Sequence, residues 1–317
     1  MKILAKVALV VSVLCVSNAL YSAEEKKEKD FRIRDPFVLV DGGKYYLYES
    51  KPWSGGNGVD VRVSDNLVDW TSKSPAMILP DGVGATAIWA PEVHKYKGRY
   101  YLFVTLTQPK NVRPVKLYPE VGENMLTPRG TWIFVADKPT GPFKPTKMGP
   151  VPPADHMTLD GTLYVEDGKP YMVYCHEWCQ VGNGTVEYAP LNDDFSSLKT
   201  EPVKLLDARS AMPGASFVTD GVFFYRSEKS GRLFLIWSNM IDGHGYAVLV
   251  RHSLSGKIAG PWSKDTLLLG KDGGHAMVFK DLEGKLRITL HRPNSSPNER
   301  MKLFYLNDDG ERLTVTE

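Results

Sequence analysis

Apolar residues in this chain come in short bursts. Blocks of four to six, or alternation over a similar span, are separated by polar turns carrying Gly, Asp, Asn or Pro. That is the rhythm of β-strands, and no sustained 3.6-residue period marks a long amphipathic helix. In RDPFVLVDGGKYYLYES, from Arg34 to Ser50, two such runs flank the turn DGG and predict a hairpin.

The hairpin recurs. WAPEVHKYKGRYYLFVT, LDGTLYVEDGKPYMVYCHEW, TDGVFFYRSEKSGRLFLIWSN and GGHAMVFKDLEGKLRITLH share its layout of short apolar strand, glycine-bearing turn and aromatic-rich second strand. Aligned on the turn, the opening positions are Asp35, Ala90, Asp160, Asp220 and His275. A third strand, a polar turn and a candidate edge strand follow each copy, as in VDVRVSDNLVDW and KLFYLNDDGERLTV. Four strands repeated five times predict an all-β fold, a five-bladed β-propeller with about four antiparallel strands per blade. Residues 31–317 would form this single domain. Its longest irregular insertion, 107–130, is of a length that often shapes a binding site.

Composition narrows the setting. The formal net charge is +2, and without Lys2 and Lys6 it falls to zero. No basic block or recognition helix suggests a nucleic-acid partner. Residues 1–23 combine a basic start, an apolar run from Val7 to Val16 and small residues at Ala19 and Ala23. They read as a secretory signal peptide, too short to span a membrane; bulky Leu14 ahead of Cys15 argues against lipidation. Residues 24–30 read as a charged spacer, and the mature protein as exported, either periplasmic or secreted. Cys175 and Cys179 lie beyond disulfide reach if CHEWC is extended, and two buried thiols are expected. The stretch offers too few ligands for zinc. A monomer is expected, although no motif bears on assembly.

In a propeller the first strand of each blade lines the central channel, so the opening residues meet at one mouth. Asp35, Asp160 and Asp220 would then share a pocket. Gathered carboxylates repel, and their pKa values are driven apart. Turn hydrogen bonding explains any one of them, but three at equivalent positions favour chemistry. Inverting glycoside hydrolysis needs such a set: a base that activates water and an acid that protonates the leaving oxygen, about 6.5–9.5 Å apart.

RDPF at 34–37, WAPEVHKYKGRYYLF at 89–103, LDGTLYVEDGKPYMVY at 159–174 and GGHAMVF at 273–279 resemble glycoside hydrolase family 43. The resemblance runs through the mature chain in the family's blade order. It implies an inverting arabinofuranosidase or xylosidase, exo-acting on plant or algal saccharides, with Asp35 as base and Asp160 as pKa modulator. It also implies that His275 faces a metal, usually calcium, or water in the central channel; the chemistry itself requires no cofactor. The family's proton donor is typically a glutamate opening the fourth blade, where this chain has Asp220. Three explanations compete: Asp220 is the acid, Glu177 reaches in instead, or hydrolysis has been lost and glycan binding kept.

Sugar faces stack on aromatic rings, which makes Trp89 and, at the rim, Trp53 the expected substrate contacts. His176, His291 and Arg34 are further candidates for the mouth. Trp70, Trp132, Trp237 and Trp262 suit blade packing, and Glu92 a supporting place. The fructan hydrolases' NDPNG opening and Glu-Cys motif are missing. An anhydrogalactosidase-like activity with a histidine acid stays open.

Overall fold

The computed structural model describes residues 32–52, 56–109, 113–118, 121 and 127–316. Blade one comprises β1 (Phe37–Asp41), β2 (Lys44–Tyr48), β3 (Gly58–Ser64) and β4 (Ser74–Ile78). Blade two comprises β5 (Ala87–Tyr96), β6 (Arg99–Thr107), β7 (Arg129–Ala136) and β8 (Lys144–Pro145). In blade three, β9 (Thr158–Glu166) and β10 (Lys169–His176) precede a single helical turn, α1 (Trp178–Val181), then β11 (Thr185–Pro190) and β12 (Val203–Asp207). Blade four holds β13 (Asp220–Arg226), β14 (Leu233–Ile241), β15 (Gly245–His252) and β16 (Thr266–Leu269). Blade five holds β17 (Gly274–Lys280), β18 (Leu286–Arg292), β19 (Arg300–Asp308) and β20 (Leu313–Thr316). Every sheet is antiparallel with its strands in chain order. This is the five-bladed propeller that the repeats predict.

Second strands lie between two neighbouring blades and are covered on both faces. Hence β6 is buried from Tyr100 onward, and β14 is buried except at Met240. Their sequences, YYLFVTLT and LFLIWSNMI, are accordingly apolar in blocks rather than alternating. Trp237 is fully buried, its indole N–H satisfied by Asp265 Oδ1 at 2.9 Å. Trp70 and Trp132 are also buried in the packing, and Trp262 packs beside Phe224. Cys175 and Cys179 are free, buried thiols.

The ring closes on itself: β1 packs against both β5 and β17, and β9 and β13 complete the circle. Among the described residues no strand is shared between the first and last blades. Instead Ile33 N–H donates to Glu299 O at 3.2 Å, while Arg32 and Arg34 both reach the Glu299 carboxylate.

Each blade opens on one residue in the left-handed region: Asp35 (φ 51°), Ala90 (42°), Asp160 (51°), Gly221 (55°) and His275 (56°). A non-glycine residue pays about 1–2 kcal/mol for that conformation, so four of the five openings are strained. The register of the first hairpin breaks there in blades two, three, four and five, which re-aims the side chain. In the fourth blade the equivalent residue is Gly221, not Asp220. Asp220 pairs with Ser238 as Trp89 pairs with Thr105, one step before the kink. The expected alignment of Asp220 with Asp35 and Asp160 is therefore off by one residue. Turn lengths differ between blades, and the turn was the reference for that alignment.

Candidate active site

At the channel mouth a cavity of about 280 Å³ brings together Asp35, Asp160 and Asp220, with Glu177, Trp89 and His275 in its wall. Asp35, Asp160 and His275 reach it from the kinked openings, Asp220 and Trp89 from the position before the kink.

Asp35 is held on all sides. Its Oδ2 accepts from Ser50 Oγ at 2.5 Å, and Arg34 Nε lies 3.8 Å away. Its Oδ1 is 3.3 Å from His275 Nδ1 and 3.2 Å from His291 Nδ1. Burial opposes ionisation here, yet His275 and Arg34 take the carboxyl well below the usual range. Burial lowers His275, against the pull of the Asp35 charge, and Arg34 supplies the permanent charge. His291 Nδ1 accepts the Asp35 backbone N–H at 3.2 Å and so carries no proton to give the carboxylate; its Nε2–H donates to Asn294 Oδ1 at 3.1 Å.

The other two acids move the opposite way. Burial, then the charges of Asp220 and Asp35, push Asp160 well above the usual carboxylate range. Asp160 Oδ2 accepts the Gly221 N–H at 2.9 Å and lies 3.7 Å from His275 Nδ1. Burial and the neighbouring Glu177 and Asp35 push Asp220 up to about 7, against the pull of Arg34 and Tyr246. One acid is thus ionised at neutral pH beside a pair that retains a proton.

Glu177 does line the cavity, at the entrance to α1. Its Oε2 is paired with Arg129 Nη1 at 3.2 Å, so the oxygen nearest the guanidinium is poorly placed to carry a catalytic proton. Trp89 lines the wall with its indole N–H donated to Thr107 Oγ1 at 2.9 Å. Arg34 lines it too, tied to Asp35 and Glu299. Trp53 lies outside the described residues.

His176 and His291 do not reach the cavity, contrary to expectation. His291 is fully buried and supports Asp35 from behind. His176 is locked between Glu187 Oε1 (3.1 Å) and Gln180 Oε1 (2.9 Å), with the His156 ring stacked on it at 4.4 Å. His176 ends β10 and His291 is the next-to-last residue of β18, but His291 is turned across the closing seam to Asp35 and His176 against His156 and Gln180. The described parts of 107–130 lean on blade three, where Lys116 N–H donates to Asp155 O and Lys116 O accepts from Gln180. Residues 110–112, 119–120 and 122–126 of that insertion lie outside the described set.

A cation in the channel would meet few protein ligands. His275 Nδ1 is turned to the carboxylates, leaving Nε2, and nearby Glu92 is engaged by His94 Nε2 at 2.9 Å. Calcium takes six to eight oxygens, so this donor set suits a largely hydrated ion rather than an all-protein cage.

Sequence reasoning missed Tyr246, Arg129, Trp178 and Asn294, all in the cavity wall. Tyr246 begins a third strand, where nothing local distinguishes it from a packing tyrosine. Its hydroxyl donates to Asp220 Oδ2 at 3.2 Å. Trp178 had a signal, being adjacent to Glu177 in CHEWC.

An extracellular exo-α-(1→5)-L-arabinofuranosidase of Streptomyces chartreusis is 24% identical over 240 residues, 71% of this chain and 66% of the relative. An α-L-arabinofuranosidase 43 of Humicola insolens is 26% identical over 172 residues, 53% of this chain and 32% of the relative. The match thus spans less than two thirds of either relative. An endo-arabinase structure from Bacteroides thetaiotaomicron VPI-5482 superposes with a TM-score of 0.76 at 34% identity, covering 89% of this chain and 97% of that one. An α-L-arabinofuranosidase from Lactobacillus brevis superposes at 0.70 with 21% identity, covering 89% and 93%, a likeness of fold alone. The profile of glycosyl hydrolases family 43 matches residues 29–310. With a match that runs from ahead of β1 to the turn before β20, this chain belongs to glycosyl hydrolase family 43.

Proposed function

We propose that the protein is an exo-acting, inverting glycoside hydrolase that releases a terminal arabinofuranosyl or xylosyl group from plant oligosaccharides. One observation carries this reading: a pocket in which Asp35 is held ionised while Asp220 is pushed up to about 7. Two carboxyls with opposed pKa values are what a base and an acid need at the same pH.

Asp35 takes a proton from the attacking water as the oxygen closes on the anomeric carbon. Asp220 gives its proton to the glycosidic oxygen as that bond breaks, and the sugar leaves with inverted configuration. Asp160, fixed by the Gly221 N–H and facing His275, orients the reacting sugar. Trp89 offers an apolar face to the ring. The pairing of Glu177 with Arg129 favours Asp220 as the acid. The absence of His176 and His291 from the pocket wall disfavours the anhydrogalactosidase-like alternative. The small cavity suits a terminal sugar, and the names of the arabinan-active relatives favour an arabinofuranosyl group. Export is part of the proposal. It is supported by the leader-like residues 1–23 and by the extracellular relative, and no described helix is long and apolar enough to cross a membrane.

The test compares wild type, Asp35→Asn and Asp220→Asn on arabino- and xylo-oligosaccharides, with NMR of the first-formed anomer. Wild type should release single sugars of inverted configuration, and Asp35→Asn should lose about 10²–10⁴-fold. Asp220→Asn should recover on aryl glycosides, whose leaving groups need no proton. Binding without turnover on every glycan would favour a non-catalytic propeller, and longer products would overturn exo action.

A further inference from the structure

The seams between blades follow one rule with one exception. The kinked residue that opens each blade turns its backbone N–H toward the end of the preceding blade's second strand. Ala90 N–H donates to Ser50 Oγ at 2.6 Å, Asp160 N–H to Thr105 Oγ1 at 3.0 Å, and His275 N–H to Ser238 Oγ at 2.8 Å. Across the closing seam, Asp35 N–H donates to His291 Nδ1 at 3.2 Å. These acceptors occupy one structural position, fixed by the pairs Trp89–Thr105, Asp220–Ser238 and Gly274–His291, and by Ser50 N–H on Arg34 O. In blade three the pair is Leu159–Cys175, so the position holds a thiol. There the Gly221 N–H donates to the Asp160 carboxylate instead, at 2.9 Å.

Sulfur is a weak acceptor beside a hydroxyl or an imidazole. Cys175 is fully buried, and its thiol shares a hydrogen bond with Thr219. A buried backbone N–H must find an acceptor, and Asp160 Oδ2 is the one it finds. Gly221 makes the close approach possible, because a Cβ there would lie 2.9 Å from His275 Cα and Cγ.

We infer that Cys175 is a positioning residue. By declining the Gly221 N–H, it gives that donor to Asp160 and fixes a blade-three carboxylate against the strand that carries Asp220. A serine at 175 would restore the rule of the other seams, draw the N–H to its hydroxyl and leave Asp160 free to turn. An alanine offers no acceptor and leaves the donor with Asp160. The kinetic part of this inference rests on the proposed hydrolysis by Asp160 and Asp220; the hydrogen-bond part does not.

Two readouts on the full chain test it. With a cleaved oligosaccharide, Cys175→Ser should lower kcat about 10–100-fold, as small misplacements of reacting groups do. KM should stay within about twofold, and Cys175→Ala should lose less activity than Cys175→Ser although its cavity lowers Tm more. The second readout is the Gly221 amide ¹H–¹⁵N signal. Introducing Asp160→Asn should shift it in wild type and in Cys175→Ala, and leave it in place in Cys175→Ser. If the shift persists in the serine background, or vanishes equally in the alanine background, the inference is wrong. If wild type cleaves nothing, the hydrolase reading fails by itself and the amide signal still decides the role of Cys175.

Discussion

Tyr246 and Asp220 sit on different strands of one blade, and the Tyr246 hydroxyl donates to Asp220 Oδ2 across 3.2 Å. The donor favours the ionised acid, opposing the burial and the neighbouring charges that raise it to about 7. Removing the hydroxyl with Tyr246→Phe should raise that value further. The alkaline limb of kcat/KM, near pH 7 in wild type, should move up by about 0.5–1 unit. A rate profile from mildly acidic to alkaline pH reads this directly, and a downward move contradicts it.

Glu177 acts on the same acid with the opposite sign. Its negative charge, second only to burial, raises Asp220. Glu177→Gln should bring the alkaline limb down while Arg129 keeps an amide partner. If Glu177 were the proton donor, this variant would lose activity at every pH instead, with rescue on aryl leaving groups.

Stability should trade against activity with a definite pH sign. Asp220 ionises at about 7 when folded against an ordinary 3.8. Between those values the folded chain keeps a proton that the unfolded chain has lost, so stability falls as pH rises. Asp220→Asn removes that penalty and should raise Tm relative to wild type at about pH 8 but not at about pH 4. Each kcal/mol recovered is worth roughly 2–4 °C. Asp35 is depressed on folding, so its contribution is present above its ordinary value and lost as pH falls. Asp35→Asn should therefore melt below wild type at neutral pH, with the gap closing in acid. Calorimetry of both variants at two pH values checks the pair of signs.

Gly221 has no room for a side chain. Its φ of 55° and the 2.9 Å approach of a built Cβ to His275 Cα mean that backbone, not a flexible tip, would have to give way. Gly221→Ala should cost about 2–4 kcal/mol and disturb Asp160 and His275 together. A denaturant titration would measure it, and a near-neutral result would show that the seam can open.

The blade count was legible because strands are written in the period of side chains, and five copies of one hairpin repeat that writing. Asp35 and Asp160 were legible for the same reason, at the head of well-aligned first strands. Asp220 was found but set one position late in the alignment, since a left-handed kink leaves no mark in hydrophobic spacing. His291 and His176 looked like pocket residues because they lie at or next to the ends of second strands. Which way a strand end turns depends on the neighbouring blade, more than 100 residues away in the case of His291 and Asp35. Tyr246 and Arg129 carried no local signal; they matter only because a distant strand brings an acid beside them.

The closing seam has a consequence for the order in which the molecule matures. Arg34 and Asp35 belong to the first residues of the ring, but their partners Glu299 and His291 belong to its last blade. A chain emerging from a ribosome or a translocation pore would carry Asp35 early, without the partners that hold it in place. Competence would arrive only when the final blade swings home and joins the two ends. An incomplete ring would therefore lack the contacts that fix Asp35 and Arg34 at the mouth.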